Sequence, residues 1–254
     1  MSLFVEKDSV VRKIWSKSDT VLFIFAGASA EFALNKAVDW LYFTGRLPSD
    51  PLNRLFSTVT YARQIVFSDT DQAHAAINRI TSIHQGVERA RGGKIPDWAY
   101  RDVLFMLIDY SIRSYEVLEK PLNEDEKAEI FNVFYRVGRK MDITGLPETL
   151  SEWKIMRKQH LEENLIRSGF TIDLYKQYQK HLGAFRYLLL KQVQMLVVPE
   201  KVNQLLSLGS FRFLSPILRL YKLSRRLNIE RFLRNAVLPA QYKNEIRALD
   251  NNPG

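Results

Sequence analysis

Apolar residues recur at three- and four-residue spacing along nearly all of this 254-residue chain, and strict two-residue alternation is scarce. That period predicts an all-α fold, a single large helical domain spanning residues 1–254 with roughly nine to eleven helices. Asp8–Ser18 reads as an opening amphipathic helix. Asp19 to about Phe43 reads as one longer, more buried helix carrying the small-residue stretch Ala26-Gly27-Ala28-Ser29-Ala30. Asp50-Pro51 restarts the chain with a good N-cap and a proline at the first helical position, and that helix runs to about Phe67. Ser68-Asp69-Thr70-Asp71 caps the next, which stops at Gly92-Gly93. Trp98–Leu118, Asn123–Met141, Thr149–Ser168 and Thr171–Leu182 follow, and Phe185–Leu249 reads as helical pieces broken by Pro199, Gly209, Pro216 and Pro239.

Composition narrows the chemistry. With no cysteine, disulfides, thiolate metal sites and cysteine nucleophiles are excluded. The first eight residues lack the cationic-then-apolar pattern of a signal peptide. The best apolar run, Val21–Leu34, carries Glu31 and falls short of the roughly 18–20 residues of a spanning helix. A soluble, cytoplasmic protein is expected, at most peripheral to a membrane. There is no His-Glu-x-x-His zinc helix, no phosphate-binding Gly-rich loop and no dinucleotide fingerprint. A di-iron bundle needs two Glu-x-x-His pairs with two further carboxylates, and only Asp71-x-x-His74 is present.

His84 stands out among the four histidines. At about 100° per residue, Ala73, Ile77, Ile80 and Val87 lie within roughly 60° of it, so it points where the apolar stripe points. Such an imidazole is either an ordinary packed, hydrogen-bonded ring or an axial ligand to a cofactor. His74 lies off that direction, and His160 and His181 sit among charges and read as solvated. One helix earlier, Arg54 and Thr58 are neighbours on a face that continues to Tyr61 and Ile65. A guanidinium on such a face needs an anion, either a carboxylate of another helix or a ligand carboxylate or phosphate.

The order Asp50-Pro51-x-x-Arg54-Leu55-x-x-Thr58, Tyr61, Ile65-Val66-Phe67 and His84-x-x-Val87 resembles the MpaB and rubber-oxygenase (latex-clearing protein) family. Tyr100-x-Asp102 and Leu146-Pro147-Glu148-Thr149 continue the likeness, which covers about residues 15–160. The resemblance implies a helical domain holding a b-type haem, with His84 as proximal iron ligand and Arg54 and Thr58 needed for the haem site. It implies an oxygenase using O2 on a hydrophobic small-molecule or lipid substrate, since members cleave polyisoprenoid double bonds or a prenyl side chain. The chain departs from the pattern in three places. Phe25–Glu31 lacks the His-Pro pair of many members, Ser57 stands where rubber oxygenases have lysine, and Ser68 replaces a usual glycine. Glu31 and Asp39 are nearby acids without an aligned signature, so no catalytic residue is assigned. The alternative is a haem-free helical interaction or peripheral membrane protein on the same scaffold, with Arg54 paired to an acidic side chain and the space beside His84 filled.

The net charge of +9 is concentrated at the carboxyl-terminal end. Residues 1–185 hold 25 Lys/Arg against 24 Asp/Glu, and residues 186–254 hold 12 against 4. Between Phe211 and Arg234 large apolar and cationic residues alternate, which reads either as a docked helix with a solvated basic face or as contact with an anionic membrane surface. No nucleic-acid-binding module is recognisable.

Overall fold

A computed structural model describes residues 2–45 and 49–210, and for 51–56 the backbone alone. The basic 211–234 segment and the side chain of Arg54 lie outside the described residues. Within them the chain forms ten helices: α1 Val10–Trp15, α2 Ser18–Leu34, α3 Val38–Phe43, α4 Pro51–Phe67, α5 Thr70–Arg91, α6 Asp97–Leu118, α7 Glu124–Lys140, α8 Leu150–Glu163, α9 Gly169–Val197 and α10 Glu200–Leu206. The only β pairing among the described residues is two isolated bridges, Leu3 with Asp69 and Asn35 with Leu165. No helix among them is long and apolar enough to cross a membrane.

Local chemistry sets most helix ends. The Asp69 carboxylate accepts from the Gln72 amide at 2.9 Å, and Gly92 closes α5 in the left-handed region at φ 70°. Asn123 and Glu126 form a reciprocal capping box at 2.8 and 2.9 Å, and Thr149 caps α8. The break expected after Leu182 is a kink at Gly183 within α9 (φ 72°, ψ 168°).

The expected helix from Asp19 to Phe43 is instead two, because Asn35 leaves the helical path at ψ 132°. Its side chain accepts from the Ala37 amide at 2.8 Å and donates to Asp102 of α6 at 2.8 Å. On either side, the α8–α9 connection takes up the backbone: Lys36 N–H donates to Asn164 O (2.9 Å) and Ile166 N–H to Leu34 O (2.8 Å). These partners are distant in sequence, which is why local periodicity runs straight through the break.

α2 is buried on almost every side and forms the centre of the molecule, packed chiefly against α6 and α9. Its small residues serve different neighbours. Gly27 lies against Tyr110 of α6, so closely that a Cβ there would overlap the ring. Ala30 joins Leu34, Leu165 and Val202 in a second apolar cluster. The Tyr110 ring has no room to retreat, being fully buried with its hydroxyl donating to Glu31 at 2.8 Å. Gly27→Ala is therefore expected to destabilise the fold by about 1–3 kcal/mol, the usual range for overpacking. A denaturant midpoint unchanged from wild type would refute that reading.

Candidate functional site

A cavity of about 850 Å³ lies between α2, α3, α4, α5 and α6, with the end of α7 and Tyr178 of α9 completing its walls. Its deep side is built from buried residues such as Ile24, Phe25, Met106 and Phe134. Towards the surface it is bordered by Phe43 and Ile83, which are 50% and 44% exposed. The cavity thus runs from a surface mouth at α3 and α5 to an apolar floor.

His84 and Thr58 both line this cavity, from α5 and α4 respectively. The helical period carries His84 inward with Ile80 and Val87, which also line it. Arg54 stands one turn before Thr58 on the same helix, with its side chain outside the described residues. Of the small-residue stretch in α2, Ala28 and Ser29 reach the cavity wall.

The His84 ring meets the Tyr100 ring edge-on, with centroids 5.2 Å apart and planes at 85°. Tyr100 is held in turn by Glu88, which accepts from its hydroxyl at 3.2 Å and from the Ile95 amide at 2.9 Å. Burial, followed by the negative charge of Glu88, pushes the Tyr100 phenol well above its ordinary range, so it stays a proton donor to Glu88. Sequence spacing places Glu88 one turn beyond His84, but only the fold brings Tyr100 of the next helix against the imidazole.

No Asp, Glu, Lys or Arg lines the cavity among the described residues. Its polar side chains there are the hydroxyls of Ser29, Thr44, Ser57, Thr58, Tyr61, Tyr100 and Tyr178, the Asn35 amide, the Trp40 indole and the His84 imidazole. The two nearby acids sit elsewhere. Asp39 pairs with Arg91 at 2.6 Å, while Glu31 accepts two hydrogen bonds from Arg157 at 2.5 and 2.6 Å. His74 packs against Phe4 and does not line the cavity.

His160 is a correction to the sequence reading. It is buried, with its Nδ1 against the Asp102 carboxylate and its ring beside Phe105. Its neighbours in sequence are charged, but Trp153, Arg157 and His160 share one helical face, and all three are buried. That face meets Asp102 and Asp109, two turns apart on α6: Arg157 reaches Asp109 at 2.9 Å, and Asn164 reaches Asp102 at 3.1 Å. Asp102 and Asp109 stand seven residues apart on α6 while Arg157 and His160 stand three apart on α8, so no matched spacing along the chain marked the pairing.

The model of a family described as "ER-bound oxygenase mpaB/B'/Rubber oxygenase, catalytic domain" matches residues 15–234. The match runs well past residue 160, where the motif likeness ends. No curated protein matches the chain.

Proposed function

The chain belongs to the family of the ER-bound oxygenase mpaB/B' and rubber oxygenase catalytic domain, and from that premise we propose that it is a haem b-dependent oxygenase acting with O2 on a hydrophobic, isoprenoid-like substrate. The observation that carries the reading is the imidazole of His84 in the wall of a large cavity whose described lining bears no charged side chain. The residues present fit a haem. A neutral imidazole among apolar side chains is a donor that haem iron takes, and about 850 Å³ lies within the range of about 300–1,000 Å³ typical of ligand sites.

In this reading His84 would hold the haem iron, with Tyr100 against its ring, and Arg54 and Thr58 are the residues that would hold a propionate. A haem bound there would supply the iron at which dioxygen is activated. Apolar walls from α2, α6 and α7 exclude water and accommodate a hydrocarbon substrate. Proton handling would fall to the cavity hydroxyls, because the described lining contains no carboxylate. The haem-free alternative would be favoured by side chains filling the space beside His84; among the described residues a cavity lies there, which supports the haem reading.

Titration of the purified full-length protein with haemin tests this. A new Soret band that saturates at one equivalent is expected, and a spectrum indistinguishable from free haemin would overturn the proposal.

A further inference from the structure

A second, smaller pocket of about 250 Å³ shares no lining residue with the main cavity. It is formed where α9 kinks and where α10 ends. Tyr175 and Lys176 come from the first half of α9, Tyr187 and Lys191 from the second, Arg167 from the segment before the helix, and Ser207 from the end of α10. The Tyr175 and Tyr187 rings stand 6.4 Å apart, and Lys191 Nζ lies 5.4 Å from the Tyr187 centroid.

Three cations share this small concavity, and no Asp or Glu lines it among the described residues. None of the three forms a salt bridge with a described residue, whereas Lys17, Lys120, Lys127, Lys154 and Lys201 each find a carboxylate. Converging like charges raise the local potential, and an anion relieves that repulsion. The backbone is shaped for the arrangement. Gly183 adopts a conformation essentially restricted to glycine, yet a Cβ there would meet nothing within 4 Å. Its lack of a side chain therefore serves the kink, not packing, and residues from both sides of the kink, Lys176 and Lys191 among them, line the pocket.

We infer that this pocket binds a phosphate group, with Arg167 as a two-pronged donor and Lys176 and Lys191 as point charges. The volume lies below the usual range of about 300–1,000 Å³ for drug-sized ligands and suits a mono- or diphosphate moiety. That group could be carried by a soluble compound or by a phospholipid head. The inference is independent of haem binding at His84.

Calorimetric titration of the full chain with inorganic pyrophosphate at low salt covers the soluble source. Co-sedimentation with phosphatidylcholine vesicles, with and without phosphatidic acid, covers the lipid source. Binding is expected in at least one arm, and Lys176→Gln/Lys191→Gln should weaken it at least about tenfold, given the strength of charge-assisted hydrogen bonds. Arg167→Gln, tested separately, should weaken it as well. Lys180→Gln, on the same helix but outside the pocket, should leave binding unchanged. Failure to bind either probe, or binding that the double variant retains at wild-type strength, would overturn the inference.

Discussion

His84→Ala is expected to abolish the protein-bound Soret band and to weaken haem binding on the order of 100-fold or more. Removing a partner of a ligating histidine already costs about 10–100-fold, and here the proposed ligand itself is removed. The fold should survive the substitution, because His84 is only half-buried and faces a cavity, so truncation enlarges a space that already exists. Far-UV circular dichroism should therefore match wild type. Free imidazole in solution should restore a protein-bound Soret band in the variant, which a general loss of stability would not allow. A wild-type Soret band persisting in His84→Ala would remove His84 as ligand while leaving haem binding itself intact. Tyr100→Phe makes a milder comparison, since it keeps the ring contact and removes only the bond to Glu88.

Arg157→Leu is expected to cost about 3–5 kcal/mol of folding stability, the range for leaving buried charges without their partner. At about 2–4 °C per kcal/mol for a chain of this size, the melting temperature should fall by roughly 6–20 °C. Arg157 lies buried between Glu31 and Asp109, and Arg113 donates to the other oxygen of Asp109 at 2.7 Å. Burial alone would raise the Asp109 carboxyl, but the charges of Arg157 and Arg113 outweigh it and hold the group below its ordinary value. A depressed carboxylate contributes stability that is present above the unfolded pKa of about 3.9 and is lost as pH falls through the folded value. The gap between wild type and Arg157→Leu should therefore be widest near neutral pH and narrow in acid. Tyr110 behaves oppositely. Burial, then the Glu31 charge, hold its phenol well above the usual range, so its contribution is present below the unfolded value of about 10 and is lost as pH rises beyond it. Equal melting temperatures for wild type and Arg157→Leu across this range would show that the cluster is energetically neutral.

The network around Arg157 also shows where reading along the chain loses information. Arg157-Lys158-Gln159-His160 looks solvated because all four neighbours are polar, yet exposure on a helix follows faces, and Arg157 and His160 share one with Trp153. The partners that make burial tolerable, Asp102 and Asp109, are on another helix. The same holds at Asn35, where the break between α2 and α3 depends on Asp102 and on the 164–166 backbone. By contrast, Asp69, Gly92, Asn123 and Thr149 mark helix ends correctly because capping is satisfied within a few residues.

By itself the sequence determined the all-helical class, most helix ends and the inward direction of His84, since each depends on spacing or on bonds spanning one turn. It also carried the family likeness through Arg54, Thr58 and His84. Only the tertiary structure decided that a cavity lies beside His84, that Tyr100 braces its ring, and that the charges of α6 and α8 neutralise one another away from that cavity. Periodicity states which way a side chain points; whether it meets another side chain or empty space depends on helices packed from elsewhere in the chain.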